Sequence, residues 1–326
     1  MSEPVFSSIL GHDAIVGRLQ RTLSQDRPGH AWLFHGPEGV GKRTTALAWI
    51  QSLFCQQPVT LPAGLSGCGA CLACGKCAEG NHPDLQRLEL LEKKSRIAID
   101  QVRELTRFIA FTPLESSWKA AIVDDAALMN DAAANALLKT LEEPPSGSLL
   151  ILITNRPGAL LPTIRSRCQQ ERFQPLESPV IETLLTRLTP KLSPEQRGEA
   201  ARLATGSIGA AVRLGDSGGL ELRQRFFRDL DALPDRSLAE LVESAREWGE
   251  AERFSSVPEL LETWFRERIR DSVLHGQSRE VEAERWLETA SRLVRLAREA
   301  RIFNLNARLT LEAIFIRLAR MRGVAY

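Results

Sequence analysis

This sequence predicts an α/β domain built on a parallel sheet and followed by helices alone, and three observations carry that prediction. Short, unbroken apolar runs alternate with helix-patterned segments as far as Ile153. One of these runs leads straight into a glycine-rich loop and then a helix. Beyond about Phe173 the strand-like runs stop and only helical periodicity continues. A strand that is apolar throughout is covered on both faces, which is the pattern of a parallel sheet between helix layers.

Ile15, Val16, Leu19 and Leu23 recur at helical spacing and open the series. Ala31 to Phe34 is a short buried strand running into Gly36. From about Lys42 to Phe54, the residues Ala46, Leu47, Trp49, Ile50 and Phe54 form the apolar stripe of a second helix. Pro58 to Asn81 reads as an irregular insert rich in glycine and cysteine. Ala120 to Val123 is the next strand and ends in Asp124 and Asp125. Asn130 or Asp131 caps a helix over Ala132 to Leu141, which Pro144 and Pro145 terminate. Leu149 to Ile153 is a further strand, ending in Thr154 and Asn155. One helical group then spans Pro179 to roughly Leu214, and Gly215 to Gly219 (GDSGG) reads as a linker. From about Leu220 to Tyr326 the helical stripes include Leu293, Leu296, Ala297 and Ala300, then Leu309, Leu311, Ile314, Phe315 and Leu318. Their plain role is core packing.

At 326 residues the chain exceeds one typical domain, so two or three are expected. With 43% hydrophobic residues it can bury a substantial core, which argues against disorder. A net charge of +1 argues against a protein that coats DNA by charge alone. The N-terminal stretch MSEPVFSSILGHDAIVGRLQ lacks a basic region followed by an apolar one, so no signal peptide is expected. No run approaches the length of a membrane span, and a cytoplasmic protein is expected.

Gly36 to Lys42 satisfies G-x-x-x-x-G-K between a strand and a helix. Gly36, Gly39 and Gly41 let backbone N–H groups turn inward around phosphate oxygens, and Lys42 reaches the terminal phosphates. Arg43 replaces the hydroxyl that normally follows the lysine and ligates Mg²⁺. Thr44 is one residue late, rotated by about 100° on the helix, and is a poor substitute. Asp124 suits the carboxylate that helps hold the metal, and Asp125 stands where a hydrolysing site places a longer Glu. Two acids at a strand end also cap a following helix, so nucleotide (ATP or ADP) binding is expected to outlast hydrolysis.

Five of the six cysteines lie between Cys55 and Cys77. In a reducing compartment such clustering favours a metal over disulfides. Cys68, Cys71, Cys74 and Cys77 are spaced only at x2 intervals, which leaves little slack to close one tetrahedron. Bringing in Cys55 relieves the crowding, and Cys77 remains the alternative fourth ligand. A structural Zn²⁺ fits such a thiolate set best.

Taken together, these residues resemble the bacterial clamp-loader subunits of the AAA+ superfamily. The match rests on Asn130 to Pro145 (NDAAANALLKTLEEPP), Cys55 to Pro58 (CQQP), His82-Pro83-Asp84 and Ser166-Arg167-Cys168. It is strong over residues 10–175 and mostly architectural beyond. The resemblance implies an AAA+ α/β domain over 1–172 with a zinc-binding insert at about 55–80, a small helical lid over 173–216 and an all-α collar domain over 217–326.

Aligned on His82-Pro83-Asp84, the zinc ligands of that family fall on Cys55, Cys68, Cys71 and Cys74, and its first sensor position falls on Thr154. The arginine of its Ser-Arg-Cys triplet acts in trans on a neighbouring subunit's ATP site, a role that falls on Arg167. An arginine there also serves as a plain surface ion-pair residue. Hydrolysing gamma/tau members carry a second-sensor arginine where this chain has Gly209. Arg43, Asp125 and Gly209 each remove a part that hydrolysis needs, and the trans arginine is kept. The combination points to the delta-prime branch of the family, a stator with no ATPase of its own within the DNA polymerase III holoenzyme. Its implied partners are gamma/tau and delta subunits, a sliding clamp and primed DNA. An active gamma/tau-like ATPase is the alternative.

Overall fold

The computed structural model describes residues 3–91, 94, 96–215, 218–275 and 279–321. The chain divides into two units, Met1–Asp216 and Ser217–Tyr326.

The first unit opens with helix α1 (Asp13–Ser24), strand β1 (Ala31–His35) and helix α2 (Lys42–Leu53). A hairpin of β2 (Val59–Leu61) and β3 (Gly64–Ser66) and a helix α3 (Leu72–Glu79) follow. Next come β4 (Leu85–Leu88), α4 (Ile99–Ala110), β5 (Lys119–Val123), α5 (Asp131–Glu142) and β6 (Ser148–Thr154). A single turn, α6 (Pro162–Arg165), leads into β7 (Gln169–Arg172). The unit ends with three helices, α7 (Ser178–Leu188), α8 (Pro194–Leu203) and α9 (Ile208–Gly215).

β4, β5, β6, β1 and β7 lie side by side in that order as one five-stranded sheet. Every pairing in it is parallel. The register sets Ala31 opposite Leu150 and His35 opposite Thr154, so the C-terminal ends of β1 and β6 meet at one edge. Successive side chains of a strand point to opposite faces, and two cores result. Trp32 and Phe34 join Trp49, Ile151 and Phe173 on one face. Ala31 and Leu33 join Leu105, Leu137, Leu150 and Leu152 on the other. The expected α/β architecture with a parallel sheet is therefore present.

The expected sequence pattern missed the two outer strands. β4 reads LQRL and β7 reads QQER, and in β7 only Glu171 is buried. An edge strand is covered on fewer sides, so it need not carry the unbroken apolar run that marks an inner one. The insert expected to be irregular contains the β2–β3 hairpin and α3. Its hydrogen bonds tie it to α2: Gly67 N–H donates to Ser52 Oγ at 2.8 Å and Gln51 Nε2 donates to the Cys74 carbonyl at 3.0 Å. The helix after Asp125 is capped by Asn130, whose Oδ1 accepts from Ala133 N–H at 2.8 Å.

α7, α8 and α9 have their own small core of Ile181, Leu185, Ala200, Ala201 and Ala211. It packs closely on the segment that follows β7 at Gly206, where a Cβ would lie 2.3 Å from that of Pro175.

The second unit is wholly helical over its described residues: α10 (Gly219–Ala232), α11 (Leu238–Trp248), α12 (Ala251–Phe254), α13 (Val257–His275), α14 (Arg279–Ile302) and α15 (Ala307–Met321). Phe226, Trp248, Trp264, Phe265, Leu293, Ala297, Leu311 and Phe315 form its core. Leu309 is the exception among the expected stripes, since it is 61% exposed. The expected linker shrinks: Gly215 ends α9 and Gly219 begins α10, while Asp216 and Ser217 lie outside the described residues.

Candidate functional site

The sheet delivers its chemistry at the C-terminal ends of the strands, where ligands gather in open α/β folds. β1 ends at His35, and the chain turns through Gly36, Gly39 and Gly41 at φ values of 144°, 70° and 103°. L side chains avoid such backbone. At Gly39 space is also short, because a Cβ would lie 2.3 Å from Ser207 Oγ. The loop ends as Gly41 caps α2.

Lys42 is buried, and its ammonium donates to the carbonyls of Gly36 at 2.9 Å and Pro37 at 2.5 Å. Burial lowers its pKa, with Asp125, Asp124 and Glu38 working in the opposite direction. His12, also buried, bonds through Nε2 to the Val40 carbonyl at 2.7 Å and meets Phe173 edge-on at 4.8 Å. Burial holds the imidazole below its ordinary pKa, so the neutral ring braces the loop.

Arg43 does not point away. Its Nη1 lies 3.3 Å from Asp124 Oδ2 and 3.3 Å from Glu89 Oε1. Asp124 directly follows β5, and its other oxygen accepts from Asp125 N–H at 3.1 Å. Asp125 sits in the left-handed region at φ 49°, and its carboxyl is raised in pKa by burial and by the nearby charges of Asp124 and Glu38. Thr44 is exposed, while the next hydroxyl, Thr45 Oγ1, is spent on the Gly41 carbonyl at 3.0 Å. Thr154 is fully buried at the end of β6 and accepts from Arg156 N–H at 3.0 Å. From the other side, Gly209 N–H donates to the Gly39 carbonyl at 3.0 Å. A Cβ on Gly209 would be 3.2 Å from Gly39 Cα, so α9 meets the loop backbone to backbone.

A second cluster lies at the far end of α2, about 18 Å along a twelve-residue helix. The Sγ atoms of Cys55, Cys68, Cys71 and Cys74 all fall within 4.8 Å of one another. Cys55 and Cys71 are 3.8 Å apart, which matches the edge of a tetrahedron with metal–sulfur bonds of about 2.3 Å. Backbone N–H groups already point at the sulfurs: Cys68 N to Cys55 Sγ at 3.3 Å and Cys71 N to Cys68 Sγ at 3.3 Å. Such donors stabilise thiolates and orient ligands. Although burial raises it, the N–H groups of Cys74 and Gln56 hold the Cys71 thiol down to about 6. Cys77 is outside this group, and burial pushes its thiol up to about 12. The four sulfurs fit one soft tetrahedral ion.

Arg167 follows α6 and stays about one-third exposed on its side chain. Its Nη2 lies 2.8 Å from Glu142 Oε1 at the end of α5, and Nη1 donates to the Thr163 carbonyl at 3.0 Å. The fork is thus held at the surface with its charge only partly covered. Cys168 beside it is buried, which pushes its thiol up to about 12.

The motifs brought the loop, Asp124, Thr154 and the cysteines into view. They missed Glu89 and Glu142, the partners of the two arginines. Glu142 lies inside the run Asn130 to Pro145, and Glu89 follows an edge strand with no readable pattern.

The family described as "DNA polymerase III, delta subunit" matches residues 11–177. A DNA polymerase III subunit delta-prime from Pseudomonas aeruginosa is 38% identical over 237 residues, covering 72% of this chain and 69% of that protein. The delta-prime subunit of Escherichia coli K12 is 38% identical over 197 residues, covering 60% of this chain and 58% of its own length. Among solved structures, a DNA polymerase III gamma-subunit-related protein of Thermotoga maritima matches with a TM-score of 0.47 and 20% identity, covering 94% of this chain and 98% of that one.

Proposed function

The chain belongs to the DNA polymerase III delta-prime subunit family, and on that premise we propose that it is the stator of a clamp loader, completing a neighbour's ATP site with Arg167 while turning over no ATP itself. One observation carries this reading. Beside the chain's own loop the carboxylate of Asp124 is tied to Arg43, yet Arg167 stands at the surface with its guanidinium partly exposed. A guanidinium suits work in trans, because it is always charged and offers forked donors to phosphate oxygens. Glu142 and the Thr163 carbonyl would hold that fork in place before a neighbour arrives.

The departures at Asp125 and Gly209 support the same division of labour. The shorter acid weakens polarisation of an attacking water, and the bare position at Gly209 offers no second-sensor arginine to a terminal phosphate in cis. The chain's own loop remains a nucleotide-binding loop through its backbone and Lys42. Zn²⁺ on Cys55, Cys68, Cys71 and Cys74 would serve as a structural staple, since the cluster lies a helix length from the loop. The division into an AAA+ domain over 1–172, a lid over 173–216 and a collar over 217–326 belongs to the same reading. So do assembly with gamma/tau and delta subunits and work on a sliding clamp at primed DNA in the bacterial cytoplasm. No helix among the described residues is long and apolar enough to cross a membrane.

The test is reconstitution with gamma-like and delta partners. Arg167→Ala should assemble normally and reduce clamp- and DNA-stimulated ATPase of the complex. A trans arginine contributes about 10³–10⁵ in rate at its own site, and the loss for the whole complex should be smaller because other sites keep their own arginines. Arg167→Lys should rescue only part of the rate, since a point charge does not reproduce the fork. Wild-type ATPase and clamp loading with the alanine variant, at verified full assembly, would sink the proposal.

A further inference from the structure

A nucleotide loop of this kind implies a Mg²⁺ ion, and the residues around the loop do not fit one. Mg²⁺ wants a near-octahedral shell of oxygens at about 2.0–2.1 Å. The start of α2 supplies none: position 43 is an arginine, Thr44 is exposed and the Thr45 hydroxyl is bonded to the Gly41 carbonyl. The carboxylate at the end of β5 is also taken. Asp124 Oδ2 faces Arg43 Nη1 at 3.3 Å, and Oδ1 accepts from Asp125 N–H at 3.1 Å. Glu89 holds the same guanidinium nitrogen from the far side at 3.3 Å. A divalent cation bound to Asp124 would have to displace the Arg43 guanidinium, with no hydroxyl at position 43 to join the carboxylate as a ligand.

The rest of the loop is built for phosphate. Gly36, Gly39 and Gly41 keep the positive-φ backbone that lets N–H groups turn toward phosphate oxygens, and Lys42, itself buried, donates to two carbonyls of the loop. We propose that Arg43 is a built-in stand-in for the metal, so that this loop takes a nucleoside polyphosphate free of divalent cation. Arg43 brings one permanent charge to the place where Mg²⁺ would bring two, and its forked N–H groups can reach phosphate oxygens directly. Half of its side chain is open to solvent, and its ion pairs with Asp124 and Glu89 are of the exposed kind that give way readily. The inference rests on reading the loop as a nucleotide site and is independent of what Arg167 does.

The experiment uses the purified full chain and ATP as the probe, titrated in buffer with EDTA and again with excess Mg²⁺. Wild type should bind with affinities within about twofold of each other in the two buffers, less than half a kcal/mol. Arg43→Thr restores the hydroxyl and frees Asp124, and it should gain Mg²⁺-dependent binding, about tenfold tighter with the metal than without. The exposed position of Arg43 makes a folding defect in that variant unexpected, and a thermal melt checks it. Lys42→Ala should weaken binding in both buffers alike. Wild-type binding that is tenfold tighter with Mg²⁺ would overturn the stand-in while leaving the nucleotide site intact. Absence of ATP binding in both buffers would overturn the nucleotide reading and the stand-in with it.

Discussion

Replacing Asp84 by Asn should be among the most damaging single changes in the first unit, although it removes no atom of the loop or of the cysteine cluster. The carboxylate is fully buried. Oδ1 accepts from Leu114 N–H at 2.7 Å and from Lys119 Nζ at 3.2 Å, while Oδ2 accepts from Glu115 N–H at 2.8 Å and Ser116 N–H at 2.9 Å. Lys119 is itself buried, with Nζ 4.1 Å from the centre of the Phe108 ring. An asparagine must turn its NH₂ toward one of these donor pairs, so two donors lose an acceptor and the buried ammonium loses its counter-charge. Breaking such a pair from one side costs about 3–5 kcal/mol, a large share of a typical domain's stability of about 5–15 kcal/mol.

Acid titration gives an independent measure of the same contact. Burial alone would raise the Asp84 pKa, but the three backbone donors and Lys119 outweigh it and hold the carboxyl at about 2 instead of its ordinary 3.8. That difference is worth about 2.5 kcal/mol. Because the folded value is the lower one, this stability is fully present above about pH 4 and is lost as pH falls toward about 2. Hydrogen exchange of the amides over residues 114–123 reads the local unit directly, at neutral pH and down the acid limb. Asn should speed exchange at pH 7 and flatten the dependence between about pH 4 and pH 2. Adding Lys119→Met should recover part of the loss, since the orphaned charge goes with it. Asn at Asp84 with wild-type protection at neutral pH would refute the argument.

Cys55→Ser should release one equivalent of zinc and Cys77→Ser should retain it, as read by metal analysis of the purified proteins, because only the first is among the four clustered sulfurs; the reverse pattern would make Cys77 the ligand. Glu142→Gln should leave the melting temperature almost unchanged, as expected of a pair that is one-third to one-half exposed. It should nevertheless raise the ATP KM of a reconstituted complex, because on the proposed reading Glu142 holds the Arg167 fork in place for the neighbour's phosphate. Combined with Arg167→Ala it should add nothing, and an additive effect would show that Glu142 acts elsewhere.

Periodicity was enough for the inner strands and the helices around them, since β1, β5 and β6 are covered on both faces and are apolar along their length, with polar residues only at their ends (His35, Lys119, Ser148 and Thr154). It was not enough for β4 and β7, which lie at the edges and carry Gln, Arg and Glu. Asn130 was legible as a cap because a short acceptor before a helix has a fixed local geometry. Leu309 was misread as core because periodicity identifies a stripe without telling which end of it a neighbour covers.

What the sequence determined by itself is chemistry set by neighbours in the chain: the glycines and Lys42 of the loop, the arginine that follows them, the bunching of cysteines and the Ser-Arg-Cys triplet. What only the tertiary structure decided is which groups distant in sequence share a charge or a metal-sized space. Arg43 meets Asp124 and Glu89 across the sheet edge, Arg167 rests on Glu142, and Cys55 joins three cysteines beyond a hairpin while Cys77, closer to them in sequence, is turned into the core. Local spacing fixes the direction of a side chain only within a turn or two of its own element. Electrostatic pairing and metal-ligand closure depend on distances of a few ångströms between elements, and those are set by how the helices pack on the sheet.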